Sequence, residues 1–194
     1  KALTEGSCKF EWQQKRYDTN ELFFTEILLS KVAIDEKPLI QANIRNINDR
    51  KQAEAASQNS EKNLRTLFES NRDAWLLLDD NGIFDANQSA LTLYGCDDIE
   101  ELTGLSVIDR SSPTQENGED TEELSKKHIQ TAFDKGTNQF EWKIKNQKTN
   151  KIIDIEVLLS TVEINGRLIL QSTAREITER KEMEAKVEKL AYED

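Results

Sequence analysis

Apolar and polar residues alternate with a period of two along three stretches of the C-terminal half, which is the pattern of half-buried β-strands. The first stretch covers residues 139–145, and a polar turn at residues 146–151 separates it from the second at residues 153–160. An Asn-Gly pair at residues 165–166 is a strong hairpin signal before the third stretch, at residues 168–174. We therefore predict an antiparallel meander with one apolar face.

A second group of strands and helices is predicted ahead of this meander. Short apolar runs at residues 74–79 and 83–86 flank an Asp-Asn-Gly turn, which indicates another hairpin. Helical signals follow at residues 87–94 and 97–102, and residues 120–135 place their apolar side chains on one helical stripe. The predicted order is two strands, several short helices and three strands.

The chain repeats itself at a constant spacing of 130 residues. The segment GSCKFEW at residues 6–12 returns as GTNQFEW at 136–142, and RNINDRK at 45–51 returns as REITERK at 175–181. At this offset 20 of the first 54 residues are identical to their partners, about 37%. One structural unit is therefore predicted twice, with the first copy lacking its front half. The tryptophans of the two FEW segments are expected in similar surroundings.

Composition narrows the classes of function. The 194 residues include 26 Lys and Arg and 37 Asp and Glu, a net charge of −11, which disfavours nucleic acid and anionic membrane surfaces as partners. No stretch approaches the roughly 18 apolar residues of a membrane span, so no membrane contact is expected here, although an anchor elsewhere in a longer protein stays open. Two cysteines, Cys8 and Cys96, without metal-ligand spacing favour a reducing, cytoplasmic location.

Highly charged helical segments follow each copy, at about residues 49–68 and 179–191. In the second segment Met183, Val187 and Leu190 are spaced as a heptad seam. Two interpretations stay open, namely solvated helices or short parallel coiled coils that join two chains into a homodimer. The placement of both helices directly after a meander favours the dimer.

The order and spacing of these segments resemble PAS domains with their C-terminal PAC motif. The matching pieces are LLLDDNGIFDAN at residues 76–87, ALTLYGC at 90–96, the FEW strands and the two segments that end in RK. The resemblance implies an α+β PAS fold, in which a five-stranded antiparallel sheet of order 2-1-5-4-3 carries helices on one face, plus a partial second PAS unit and flanking signalling helices. The expected divisions are the C-terminal half of a PAS domain at residues 1–50, a linker helix at 51–66, a complete PAS/PAC domain at 67–178 and a signalling helix at 179–194.

The last five residues, LAYED, resemble the start of a diguanylate cyclase GGDEF domain in a bacterial signalling protein. The GGDEF signature itself is not in the sequence, so the chain is expected to be a sensor and not itself an enzyme. The resemblance implies a PAS module that detects a small ligand or a partner and regulates a covalently attached output domain, a cyclase that makes cyclic-di-GMP. The alternatives are the sensor of a histidine kinase and a ligand-free dimerisation spacer.

Eight residues are candidates for a ligand cavity between the sheet and the helices, three of them aromatic and five with polar groups. They are Trp75, Phe140, Trp142, Asn87, Tyr94, Ser125, His128 and Ser172. A filled core is the alternative for the aromatic residues, and capping of the following helix is the alternative for Asn87.

The resemblance argues against the two cofactors of gas-sensing and light-sensing members. Haem-binding members place a histidine where this chain has Ser125, whereas His128 lies about one helical turn further on. Val107 stands where flavin-binding members carry their reactive cysteine, and Cys96 is not equivalent to it. No cofactor, no metal site and no catalytic residue is therefore predicted.

Arg175, Glu176 and Thr178 resemble the part of the PAC motif that couples the last strand to the exit helix. The carboxylate and the hydroxyl are expected to cap that helix and to pair with a nearby arginine. In the first copy Arg45 and Asn46 take the places of Arg175 and Glu176, which removes the negative charge but keeps an amide that can cap. Ordinary capping without a signalling role is the alternative.

The first copy is expected to need cover, because a three-stranded meander alone buries little surface. Its apolar residues include Phe10, Trp12, Phe23, Phe24 and Leu39. We predict either exposed apolar surface or a contact that hides it, supplied by another segment or by a partner chain.

Overall fold

A computed structural model describes residues 2–34, 37–115, 118–164 and 166–192. Asn165, half of the Asn-Gly hairpin signal, and the last two residues of the LAYED stretch lie outside the described residues. The chain divides into two compact units, Lys1–Leu64 and Arg65–Asp194. None of the described helices is long and apolar enough to cross a membrane.

The first unit is a three-stranded antiparallel sheet followed by a long helix. α1 (Ala2–Glu5) precedes β1 (Ser7–Lys15), β2 (Leu22–Ile34) and β3 (Lys37–Asn46), which pair in the order β1-β2-β3. α2 (Asn48–Ser70) begins in this unit and ends in the second. It corresponds to the charged helix that the sequence predicts at about residues 49–68.

The second unit contains five strands and three further helices. They are β4 (Ala74–Asp79), β5 (Gly82–Ala86), α3 (Gln88–Tyr94), α4 (Thr121–Lys135), β6 (Thr137–Lys145), β7 (Ile152–Ile164), β8 (Arg167–Glu176) and α5 (Thr178–Tyr192). Two short 3₁₀ turns, Ile99–Glu101 and Val107–Arg110, lie between α3 and α4. The antiparallel sheet has the order β5-β4-β8-β7-β6, which confirms the predicted 2-1-5-4-3 arrangement and the α+β class.

Period-two alternation decides which side chains of the second sheet reach the core. In β7, Ile155, Val157 and Leu159 are buried, whereas Leu158 is exposed. The buried face packs against α3, α4 and the turns between them, so a single apolar layer lies between sheet and helices. Removal of this apolar surface from water is the main force that holds the two layers together.

The helices begin and end at residues suited to those places. Asp120 accepts the backbone N–H groups of Glu122 and Glu123 at the start of α4, where a negative charge is also favourable. α3 ends at Gly95, whose φ of 73° is left-handed. A β-carbon there would lie 2.5 Å from the side-chain amide of Asn146, which donates to carbonyls in the last turn of α3.

Asn87 joins three elements of the second unit. Its side chain is fully buried, and its Oδ1 accepts the backbone N–H groups of Trp75 and Ala90, each at 2.9 Å. Its Nδ2 donates to the carbonyls of Phe68 at 3.1 Å and Asp73 at 3.0 Å. One amide therefore connects the end of α2, the start of β4 and the first turn of α3.

The meanders of the two units have the same strand lengths and the same pairing register. β1, β2 and β3 contain 9, 13 and 10 residues, and so do β6, β7 and β8. Trp12 pairs with Thr25 as Trp142 pairs with Ile155. The expected similarity holds for strand geometry but is wrong for burial, because Trp12 is 59% exposed and Trp142 is 6% exposed. The helices that cover Trp142 have no described counterpart in the first unit.

Replacing Asn87 with alanine is expected to lower the free energy of unfolding by about 2–4 kcal/mol, because several buried backbone groups lose their partner. Urea unfolding followed by tryptophan fluorescence measures the change. Asn81→Ala, in the exposed turn between β4 and β5, is the control and should change stability by less than about 0.5 kcal/mol. Equal effects of the two substitutions would contradict the role of Asn87.

Candidate functional site

A small, mostly apolar cavity lies between the sheet and the helices of the second unit. Water-sized molecules fit into about 40 Å³ of it. The sheet contributes side chains from β4, β6, β7 and β8, and α3, α4 and the second 3₁₀ turn contribute the opposite wall. Six of the eight predicted residues line this cavity, namely Tyr94, Ser125, His128, Phe140, Trp142 and Ser172.

Three hydroxyl groups in the cavity wall have no hydrogen-bond partner within the described part of the chain. They belong to Tyr94 on α3, Ser125 on α4 and Ser172 on β8, and each residue is more than nine-tenths buried. Burial raises the pKa of Tyr94 far above its ordinary value, so the phenol stays protonated. Buried hydroxyls are normally paired, so these three are free to bind a ligand or water molecules.

His128 on α4 stacks on Phe140 of β6, with ring centroids 3.6 Å apart. Asn138 Nδ2 lies 2.8 Å from His128 Nδ1 and 3.1 Å from the His128 carbonyl oxygen. Because a carbonyl only accepts, this nitrogen donates to both atoms, and the hydrogen-bond network therefore assigns the ring proton to Nε2. Burial lowers the pKa of His128 against a smaller opposing effect of Glu119, so the ring is neutral at pH 7.

The indole N–H in the cavity wall is already paired. Trp142 Nε1 donates to Ser111 Oγ at 2.8 Å, and Ser111 donates onward to the carbonyl of Val107 at 2.7 Å. No Asp, Glu, Lys or Arg is among the described residues that line the cavity. The cavity is therefore an uncharged space with apolar walls and a few hydrogen-bonding groups.

Two of the predicted cavity residues lie elsewhere. Trp75 sits between the buried Ala74 and Leu76 of β4, so strand alternation places its ring on the other face of the sheet. There it packs edge-on against Phe68 of α2, with centroids 5.9 Å apart. Asn87 is occupied by the backbone hydrogen bonds described above. The expectation that these two residues line the cavity is corrected on these grounds.

The dimensions of the cavity bear on the cofactors that the sequence argues against. Ligand pockets usually measure about 300–1,000 Å³, far more than the 40 Å³ open to water-sized molecules here. Val107 lines the cavity and offers no thiol for a flavin adduct. Among the described residues, no group of three or more His, Cys, Asp or Glu side chains is arranged to hold a metal ion. As it stands, this cavity fits neither haem nor flavin.

A cluster of ion pairs fastens α5 to the sheet. Glu141 on β6 contacts Arg180 at 2.9 Å and Lys181 at 2.6 Å. Asp154 Oδ1 on β7 lies 3.3 Å from Lys181 and 2.8 Å from Lys143. Burial alone would raise the pKa of Asp154, but the hydrogen bond and charge of Lys143, together with Lys181, lower it overall. The four residues Glu141, Asp154, Arg180 and Lys181 are called the exit clamp below.

The first unit contains the same arrangement 130 residues earlier. Glu11 on β1 contacts Arg50 at 2.7 Å and Lys51 at 2.6 Å in the first turn of α2. Phe24 stands at the position equivalent to Asp154, so the fourth member is absent there. The coupling residues predicted from the sequence did not include the exit clamp. The FEW and RK identities in both copies are the sequence signal that points to it.

The predicted coupling residues of the second unit lie at the same junction but make different contacts. Arg175 donates to both carboxylate oxygens of Asp73, at 2.9 and 2.8 Å, and so ties β8 to the segment before β4. Within the described chain Glu176 forms no ion pair, and Thr178 Oγ1 is buried without a partner. The expected capping of α5 by these two residues is therefore not found, because Glu176 ends β8 with an exposed side chain.

In the first unit an amide does cap the exit helix. Asn46 Oδ1 accepts the backbone N–H of Asn48, the first residue of α2, at 2.9 Å. Asn48 Oδ1 accepts the backbone N–H of Phe24 at 2.7 Å and so ties the helix start to β2. Arg45 lies on β3 opposite Glu26 in the pairing register.

Comparison with known proteins adds to these observations. A family model described as PAS domain matches residues 62–128. No curated protein matches the chain in sequence. Because the matched segment includes β4, β5, α3 and the first half of α4, it contains most of the helical side of the cavity.

Solved structures with low sequence identity share the fold. The PAS domain of a two-component sensor histidine kinase is 17% identical, with a TM-score of 0.51 over 62% of this chain and 98% of that one. The PAS domain of an HTR-like protein from Haloarcula marismortui is 23% identical, with a TM-score of 0.53 over 66% and 99%. An RNA-binding light-oxygen-voltage receptor is 13% identical, with a TM-score of 0.53 over 98% and 84%. The chain contains a PAS domain, and its second unit has the PAS fold.

Glu141→Gln is expected to loosen α5, because it removes the charge that holds both Arg180 and Lys181. The clamp is partly exposed, so the loss should be about 1 kcal/mol or less, or up to about fivefold faster amide exchange in α5. Hydrogen–deuterium exchange of the full chain measures this. Glu179→Gln, on the exposed first turn of the same helix, is the control. Exchange no faster than in the control would show that the clamp does not hold the helix.

Proposed function

We propose that this chain is a sensory module for signal transduction, whose PAS domain detects a small ligand in its cavity and regulates a C-terminal output domain. The observation that carries the proposal is the enclosed cavity with the unpaired hydroxyls of Tyr94, Ser125 and Ser172. A core that serves packing alone has no use for such groups, because each buried hydroxyl without a partner destabilises the fold.

The strands that line the cavity also hold the exit helix, which supplies a route for the signal. Phe140 and Trp142 on β6 line the cavity, and Glu141 between them belongs to the exit clamp. On β7, Ile155 lines the cavity next to Asp154, another clamp residue. A ligand that shifts these strands therefore also shifts the groups that fix α5. Such coupling requires two clamp geometries with different affinity for the ligand.

The proposed output is a diguanylate cyclase, so that the full-length protein would synthesise cyclic-di-GMP. Support comes from the LAYED resemblance at the end of the chain. A histidine kinase is the second candidate, and the shared fold with the PAS domain of a sensor kinase does not distinguish the two. The sequence that follows Asp194 decides between them. An LTGL-like segment supports the cyclase, and a helix carrying a phosphorylatable histidine supports the kinase.

A homodimer through the PAS units and the helices is part of the proposal. Leu64 and Leu67 on α2 and Met183 and Val187 on α5 are exposed in the single chain. Pairing with a second copy would remove these side chains from water along each helix. The net charge of −11 and the two free cysteines favour a reducing cytoplasm and disfavour nucleic acid as a partner.

The first unit is proposed to be the C-terminal half of a second PAS unit. It shares strand lengths, register and clamp with the second unit, but the face equivalent to the cavity wall is open, with Ile44 62% exposed. In the second unit β4 covers the edge of β8, with Leu76 opposite Ser172. By the constant offset, a covering strand would pair with β3 around Ala42. The cover is another polypeptide segment or a second chain.

A metabolite screen tests the sensory function. A cavity ligand at a hundred times its dissociation constant should raise the melting temperature by about 5–10 °C. Ser172→Val adds a methyl group inside the cavity and should abolish the shift, whereas Thr173→Val, on the other face of β8, should keep it. Native mass spectrometry of the purified chain reports any retained ligand. An empty chain without any shift across the panel would favour the dimerisation spacer instead.

The open face of the first unit predicts either binding of an apolar dye or self-association. Size exclusion with light scattering and dye fluorescence of the full chain measure both. Ile44→Lys should reduce whichever signal is found, because it places a charge on the open face, whereas Gln13→Lys, on the opposite face of β1, should not. A monomer that binds no dye would contradict the prediction.

A further inference from the structure

The geometry points to a small, uncharged ligand that both donates and accepts hydrogen bonds and fills about three water-sized positions in the cavity. This inference rests on the proposed sensory function and names the chemical class of its ligand. Three independent features carry it, namely the volume of the cavity, the lack of charge in its walls and the unpaired groups on them.

The volume restricts the ligand to very few atoms. About 40 Å³ is open to water-sized molecules, and one water needs roughly 10–15 Å³ of such space. Three positions of this size correspond to a molecule of about three non-hydrogen atoms. A larger ligand would have to displace the packed side chains of the wall, which is costly in a core close to crystal density.

The walls disfavour ions of either sign. No Asp, Glu, Lys or Arg is among the described lining residues, and the amide of Asn138 occupies Nδ1 of a neutral His128. An ion that enters would lose its hydration without gaining a counter-charge. A neutral molecule is therefore favoured over an anion or cation of the same size.

The unpaired groups disfavour a purely apolar ligand. The hydroxyls of Tyr94, Ser125 and Ser172 come from three different elements and can each donate or accept. The remaining polar atom of the His128 ring, Nε2–H, can only donate, so the ligand needs at least one acceptor. An apolar molecule would leave all these groups unsatisfied and bind less well for that reason.

A ligand this small binds weakly. The best affinity per non-hydrogen atom sets the dissociation constant of a three-atom molecule on the order of a millimolar. The cavity therefore suits an abundant solute, and the experiment has to work at millimolar concentrations and above.

Formamide, formate and xenon test the inference on the full chain. Formamide and formate both have three non-hydrogen atoms and differ in charge, and xenon is a small apolar probe that enters dry cavities. Methyl NMR spectra are recorded at rising concentrations of each, with sodium chloride as the ionic-strength control. We expect formamide to shift the methyl groups of Ile129, Val157 and Leu159 saturably, with affinity at least about tenfold higher than that of formate.

Two serine variants assign the hydrogen bonds. Ser125→Ala and Ser172→Ala should each weaken formamide binding about three- to tenfold, because each removes one partner. Ser160→Ala, on the outward face of β7, is the matched control and should bind formamide like the wild type. Xenon shifts of the same methyl groups show that the variants keep a folded cavity.

Several outcomes would overturn the ligand class. Formate binding as tightly as formamide, saturable binding of xenon alone, or unchanged formamide binding in both serine variants would each do so. In these cases the sensory function stands, because the cavity still takes a ligand. No saturable shift with any probe also overturns the ligand class, and the metabolite screen with Ser172→Val then decides the sensory function separately.

Discussion

The pleat of β6 and β7 is the constraint on which the rest of this molecule depends. Neighbouring residues of a strand point to opposite faces, so neither face can move without the other. Phe140 and Trp142 lie under α4, and Glu141 between them binds the first turn of α5. The ligand cavity and the exit helix therefore share one stretch of backbone. A signal has only the thickness of the sheet to cross, and no long chain of contacts is required.

Three asparagines keep the helical layer in position over that sheet. Asn87 ties α2, β4 and α3 together, Asn146 ties the β6–β7 turn to α3, and Asn138 fixes the ring of His128. An amide suits these places because it donates and accepts at once and carries no charge that burial would penalise. The unpaired hydroxyls in the cavity differ from this well-satisfied surrounding, which is why they stand out as a binding site.

The two units show how one backbone plan leads to different surfaces. Both meanders keep the same register, and in both a glutamate of the FEW strand holds an Arg-Lys pair at the start of the outgoing helix. Only the second unit has α3 and α4 over its inner face, so Trp142 is buried while Trp12 is exposed. The clamp thus depends on local strand and helix geometry, whereas the cavity depends on a second layer.

Local patterns in the sequence determined the order of strands and helices, the α+β class and the internal repeat, because alternation and capping act between residues close in the chain. They also placed six of eight cavity residues, since those positions follow from the apolar faces of β6, β8 and α4. The other two, Trp75 and Asn87, were assigned wrongly because strand phase and long-range hydrogen bonds decide their partners. Only the tertiary structure brought Glu141 of β6 to Arg180 and Lys181 of α5, and only it set the size of the cavity. Both depend on how separate elements pack, which no short stretch of sequence specifies.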